Sequence, residues 1–112
     1  MVSVVNTRNR ETIKDLPRVE RPREKLIQYG PEKLSNAELL AILLRSGTKG
    51  ENAVELAGKI FKRFGAKELP NVSFDDLKDY PGLGPAKACE ILACFELGKR
   101  LLKDKKVQIY LT

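Results

Sequence analysis

Apolar residues recur along much of the chain at steps of three and four, which is the period of an amphipathic helix. The clearest segment begins at Asn52 and carries basic residues on its opposite side. Its apolar positions are Ala53, Leu56, Ala57, Ile60 and Phe64. This spacing predicts a helix that Gly65 closes.

A second helix is predicted ahead of this one, because Ser35 is followed three residues later by Glu38 in a capping box. The apolar run from 39 to 44 would cover most of its circumference, so this helix is expected at the centre of the core. Gly47 is expected to cap its C-terminal end. A shorter helix is predicted from Pro22, stopped at Gly30.

The second half of the chain predicts two more helices. Ser73 and Asp76 repeat the capping pattern for a helix that carries Phe74, Leu77 and Tyr80, and Pro81 ends it. The last helix runs from Pro85 to about Lys103. One apolar stripe on it comprises Ala88, Ile91, Leu92, Phe95 and Leu102.

A second apolar strip on the last helix comprises Cys94, Leu97 and Leu101. An isolated surface helix would not need it. Another helix of the domain is therefore expected to cover this strip, or a partner domain or protein to bind it.

These elements predict an all-α fold, a small bundle of about five helices without a sheet. Residues 1–20 are polar and basic and are expected to be flexible. Residues 21–103 are expected to form one domain. Residues 104–112 are read as a linker towards a missing C-terminal domain, since the strand-like "VQIYL" has no partner strand in the sequence.

Charge and composition narrow the function. The 112 residues include 21 Lys and Arg against 15 Asp and Glu, a net charge of +6, which suits an anionic partner or serves solubility alone. With no histidine and only Cys89 and Cys94, both expected to be reduced, we expect no metal, no cofactor and no catalytic residue. No apolar run is long enough for a membrane span or a signal peptide, so a cytoplasmic protein is expected.

The stretch "DYPGLGPAK" contains the main candidate site. Two glycines allow a tight turn, and the first amides of the following helix would point towards solvent at the positive end of its dipole, where a phosphate binds well. The alternative is a corner whose glycines serve packing only. The predicted phosphate-binding residues are Gly82, Leu83, Gly84, Ala86 and Lys87.

A weaker version of this turn occurs in "RSGTKGENAVELAGKIF". Gly47, Thr48, Lys49 and Gly50 would form it, with two polar residues in place of one apolar residue. A second phosphate contact and a plain capped connection both remain open here.

The stretch "LKDYPGLGPAKACEIL" resembles a helix-hairpin-helix motif, and the longer run from "LPRVERPREKL" through "PGLGPAKACEILACFELGKR" resembles the N-terminal domain of the RadC (UPF0758) family of bacterial proteins. The resemblance covers residues 16 to about 100. It implies a fold similar to the second domain of the Holliday-junction protein RuvA, and a module that binds DNA without reading its sequence, in proteins named for DNA repair.

The same resemblance implies a C-terminal domain similar to JAB/MPN metallopeptidases, with zinc held by histidines and an acid. None of those ligands can be placed in a chain without histidine. The chain itself is therefore expected not to be an enzyme. The alternative function is an interaction or scaffold domain, with Cys94, Leu97 and Leu101 as the partner surface.

Overall fold

The computed structural model describes residues 21–48 and 50–103. These residues contain five α-helices, and their one β-type pairing is an isolated antiparallel bridge between Thr48 and Glu51. The all-α fold class is therefore confirmed. The helices are α1 (Pro22–Tyr29), α2 (Asn36–Leu44), α3 (Ala53–Phe64), α4 (Phe74–Lys78) and α5 (Gly84–Lys103), with 3-10 turns at Pro31–Lys33 and Leu69–Asn71.

The chain divides into two compact units, the first ending at Gly65 and the second beginning at Ala66. The first unit contains α1 to α3, and the second contains α4 and α5. The flexible segment predicted for residues 1–20 and the linker predicted for 104–112 lie outside the described residues.

Two capping boxes fix where the helices of the first unit begin. Ser35 Oγ accepts from the Glu38 amide at 3.1 Å, and the Glu38 carboxylate accepts from the Ser35 amide at 2.8 Å, as predicted. Asn52 and Glu55 form the same reciprocal pair at the start of α3, with distances of 2.8 and 3.0 Å. Each box satisfies two amides that the helix itself cannot pair.

The core of the first unit forms where α2 packs against α3. The predicted stripe of α3 is buried except for half-buried Phe64, whereas α2 buries only part of its apolar run and leaves Leu39 exposed. Burial of each large side chain stabilises the fold by about 1.5–3 kcal/mol. The fully or nearly fully buried residues are Leu40, Ala41, Leu44, Ala53, Leu56, Ala57 and Ile60.

The end of α2 differs from the prediction, which placed the cap at Gly47. The helix ends at Leu44, and Arg45 is its C-cap, with φ +66° and ψ −41°. The Ser46 amide donates to the Leu44 carbonyl at 2.7 Å, which makes Arg45 the centre of a strained γ-turn. Gly47 has another role: a Cβ there would overlap the Glu51 carbonyl oxygen, so glycine permits a close approach of two backbone segments.

In the second unit, α4 packs against α5. The Ser73 hydroxyl caps α4 by accepting from the Asp76 amide at 3.1 Å. Phe74 begins α4 and Leu77 lies within it, as predicted, whereas Tyr80 follows the end of the helix. Phe74 is 38% exposed. The buried residues of this unit are Leu69, Leu77, Leu83, Ala88 and Ile91.

On α5, the predicted apolar stripe is buried at its N-terminal half only. Ala88 and Ile91 are buried, Leu92 and Phe95 are half-buried, and Leu102 is 74% exposed. None of the helices in the described part of the chain combines the length and apolar character that crossing a bilayer requires.

Two Gly→Ala substitutions distinguish a glycine that a close backbone approach requires from a glycine that only lowers helix propensity. Gly47→Ala is expected to destabilise the fold by about 1–3 kcal/mol, because the new methyl group would displace the Glu51 and Asn52 backbone. Gly58→Ala, exposed inside α3 with open space around it, should stabilise by up to about 1 kcal/mol. Urea unfolding of both variants measures the difference, and equal effects would contradict this role of Gly47.

The Glu38 carboxylate should make the stability of the fold depend on pH. Burial raises the pKa of Glu38, but the hydrogen bond from the Ser35 amide and the Lys25 ammonium, 3.0 Å away, together hold it below its ordinary value of 4.5. Ionised Glu38 therefore stabilises the fold above that pH, and this contribution is lost as pH falls through the lowered pKa.

We therefore expect Glu38→Gln, which keeps a capping side chain but no charge, to be less stable than the native chain at pH 7. The difference in unfolding free energy should shrink as pH falls below about 4.5 towards 3. Urea titrations at several pH values measure it. A gap that stays constant over this range would show that the carboxylate charge contributes nothing.

Candidate nucleic-acid interface

The connection between α4 and α5 is a tight turn built from a proline and two glycines. The Leu83 amide donates to the Tyr80 carbonyl at 3.1 Å across Pro81 and Gly82. Gly82 has φ +96°, so proline and glycine occupy the two central positions that a type II turn favours. Gly84 follows with φ +75°.

Leu83 and Gly84 have opposite roles in the turn. Leu83 turns inward and is 6% exposed, which anchors the turn to the core of the second unit. A Cβ built on Gly84 would meet no atom within 4 Å, so glycine is required there by its backbone angle and not by lack of space. The surface in front of Gly84 is consequently open.

Three amides of the turn are available to an external acceptor. Among the described residues, the amides of Gly82, Gly84 and Ala86 find no hydrogen-bond acceptor, and Pro85 has no amide hydrogen. Gly82 and Ala86 are exposed, and Gly84 is half-buried. The Leu83 amide, in contrast, is engaged by Tyr80. The arrangement can therefore offer three donors at the positive end of a 20-residue helix.

The charges near this turn have both signs. Lys87 lies in the first turn of α5 and is half-buried. Lys78, at the end of α4, donates to Asp79 at 3.0 Å and lies 3.9 Å from Asp75. The hydrogen bond and charge of Asp79 raise the pKa of Lys78, so this ammonium is already matched by carboxylates and adds little attraction for an anion.

The second predicted turn has a different chemistry. The Thr48 amide donates to the Glu51 carbonyl, and the Glu51 amide donates to the Thr48 carbonyl, both at 3.1 Å. Gly50 supplies the positive φ, +90°, that this turn needs. Lys49 lies outside the described residues, and Gly47 serves the close approach described above.

Glu51 places a carboxylate at this second turn, which the sequence reading missed. It accepts from the Thr48 hydroxyl at 3.1 Å and pairs with Lys59 at 2.7 Å. Its position directly after Gly50 could have indicated an acid at the turn. With its Thr48 amide engaged and a carboxylate beside it, the second turn offers less to a phosphate than the first.

The basic end of α5 is mostly engaged locally. Arg100 pairs with Glu96 at 3.0 Å, and Lys99 donates to Asn71 Oδ1 at 3.5 Å. Both pairs are exposed, where such contacts contribute about 0–1 kcal/mol. These side chains therefore supply diffuse positive charge.

The apolar strip predicted as a partner surface lies on α5. Cys94 is exposed with a free thiol, Leu97 is 58% exposed, and Leu101 is half-buried. Among the described residues of the second unit, no helix covers Cys94 and Leu97. Leu102 follows directly and is 74% exposed, but it belongs to the other apolar stripe of α5.

Comparison with known proteins places this architecture in a family. The family described as UPF0758 N-terminal matches residues 13–89. A UPF0758 protein of Clostridium acetobutylicum is 53% identical over 97 residues, which cover 86% of this chain and 42% of that relative. A UPF0758 protein of Alkaliphilus metalliredigens is 48% identical over 100 residues, 88% of this chain and 43% of the relative.

A third relative matches this chain to a similar extent. A UPF0758 protein of Methanosarcina acetivorans is 48% identical over 93 residues, which cover 83% of this chain and 41% of the relative. The chain thus spans about two fifths of the length of the curated relatives it matches, which are covered to 41–43% in these three cases. No solved structure gives a significant match. The chain belongs to the UPF0758 family, which confirms the resemblance drawn from its sequence.

Proposed function

We propose that this domain binds DNA through its phosphate backbone, without reading bases, at the turn between α4 and α5. The observation that carries the proposal is the set of three amides, on Gly82, Gly84 and Ala86, that donate to no other described residue. Amides at a helix N-terminus hydrogen-bond phosphate oxygens irrespective of the base. The turn would thus act as the hairpin of a helix-hairpin-helix module.

The net charge of +6 supports the same partner. The matched pairs at Lys78 and Arg100 leave few cations for direct contact. We therefore expect about two to four phosphate contacts, a Kd of about 10⁻⁴ to 10⁻⁶ M, and a log–log salt slope of about −2 to −4. Such weak binding would serve to hold a larger protein on DNA.

Ala86→Asp tests the site without endangering the fold. An acid in the first turn of α5 suits the helix dipole, so stability should stay the same or rise by about 0.3–1 kcal/mol. The same carboxylate would repel a phosphate bound at the turn, and DNA affinity should fall about tenfold. Fluorescence anisotropy with a duplex, measured across a salt series, gives both the affinity and its slope.

Ala93→Asp is the matched control, because it makes the same charge change on an exposed residue of α5. It lies seven residues further on, about 10 Å along the helix, where physiological salt screens much of the effect. It should weaken binding much less than Ala86→Asp. Equal losses in the two variants would show that only net charge matters, and binding indifferent to salt would reject the phosphate contact.

A second candidate function is favoured by the apolar strip of Cys94, Leu97 and Leu101 on α5, in which Cys94 and Leu97 are exposed and Leu101 is half-buried. The family match is to an N-terminal region, and the chain spans about two fifths of its relatives. The remaining part of such a longer protein is the proposed occupant of the strip. In this role the domain would position another domain.

The strip can be tested with the Clostridium acetobutylicum relative, which is 53% identical. Its remaining part, produced separately, should bind this chain in calorimetry. Leu97→Ser should reduce that binding by about tenfold, since a buried leucine contributes about 1.5–3 kcal/mol. Ile27→Ser, at an exposed apolar residue of α1, should change it little. Absence of binding, or equal effects of the two substitutions, would argue against a docking role.

A further inference from the structure

A cavity of about 310 Å³ lies inside the first unit. Its lining residues are far in sequence from the turn between α4 and α5. The cavity opens where three helix ends meet. Pro22 and Ala53, the first residues of α1 and α3, line it together with Ile42 and Arg45 from the end of α2. The positive ends of two helix dipoles therefore face this space, against the negative end of one.

Three arginines line the cavity. They are Arg21, Arg23 and Arg45, and Glu24 is the one acid among the lining residues of the described chain. A guanidinium has five N–H donors in a planar fork, so it can bind phosphate oxygens while some of its donors are engaged elsewhere, and it stays charged at any physiological pH. The lining thus carries an excess of two positive charges.

The backbone at Arg45 adds an independent observation. Arg45 is the only non-glycine residue with positive φ in the described chain, and it sits at the centre of a γ-turn closed by a 2.7 Å hydrogen bond from Ser46 to Leu44. Glycine would adopt this conformation without strain, so the backbone does not call for arginine there. Strained residues of this kind cluster at ligand sites.

We propose that this cavity binds a phosphate monoester, with the three arginines on the phosphate and the apolar wall at Ile42 against the group that carries it. A terminal phosphate bears close to two negative charges, which matches the excess charge of the lining, whereas a backbone diester bears one. The volume is at the lower end of small-ligand sites, large enough for a phosphate and part of its attached group. The site is separate from the turn between α4 and α5 and does not depend on the function proposed for it.

Titration with four probes tests the proposal and identifies the source of the phosphate. The probes are inorganic phosphate, a nucleoside 5′-monophosphate, and a short single strand carrying either a 5′-phosphate or a 5′-hydroxyl. We expect the 5′-phosphorylated strand or the monophosphate to bind about tenfold or more tightly than the 5′-hydroxyl strand, as measured by calorimetry and by NMR shifts of residues around the cavity. Preference for the strand points to nucleic-acid ends, and preference for the monophosphate points to a small metabolite.

Two variants locate the binding. Arg23→Gln should weaken phosphate binding about tenfold, whereas Arg63→Gln, an exposed arginine of the same unit that stacks on Phe64, should leave it unchanged. Arg45→Gly should weaken binding as well while keeping or raising stability, because glycine relieves the positive φ. Equal binding of the 5′-phosphate and 5′-hydroxyl strands, with no binding of the small probes, would overturn the proposal, as would equal losses in the Arg23 and Arg63 variants.

The DNA proposal and this one fail separately. Ala86→Asp should leave binding of the 5′-monophosphate intact, and Arg23→Gln should leave most duplex binding intact. Loss of both activities in both variants would overturn the separate phosphate site.

Discussion

A helix leaves its first four amides without partners of its own, and in helices of 5 to 12 residues those amides are a large share of the backbone. In α2, α3 and α4 the side chains of Ser35, Asn52 and Ser73 accept from them. No side chain caps α1, which begins at Pro22. In α5 the residue before the helix is Leu83, which has no polar side chain to accept an amide, and Pro85 follows in the first turn. The two anion sites proposed for this domain lie at these two helix starts.

How far the sequence predicts the fold depends on whether a feature is local. The capping pair Ser35 and Glu38 was found from sequence because both partners lie within four residues. Asn52 and Glu55 obey the same local rule with asparagine as the cap, so this capping box is predictable from the sequence as well. The end of α2 was not predicted in this way, because the helix ends at an arginine with positive φ, Arg45, and not at the glycine that the rule for C-caps favours.

The features of the candidate site also divide into local ones, which the sequence predicts, and ones that depend on the surrounding structure, which it does not. The tight turn follows from residue type, since Gly82 and Gly84 both adopt positive φ. The inward side chain of Leu83 depends on the core that it contacts. Which amides remain open does not follow from sequence, because it depends on every acceptor nearby. The engagement of Lys78 by Asp79 likewise shows that counting lysines overestimates the charge a turn can offer. Binding of DNA stays a prediction at this site.

The strained backbone at Arg45 calls for a reason why an arginine, and not a glycine, stands at this corner of the first unit. A non-glycine residue in such a conformation costs about 1–3 kcal/mol, which is appreciable in a unit whose core is this small. Ser46 and Gly47 follow directly, so the chain already places small residues at this corner. If only the reversal of direction mattered, glycine at position 45 would achieve it with less strain. The cost is understandable if the guanidinium is needed at the cavity, which Arg45 lines together with the first residues of α1 and α3.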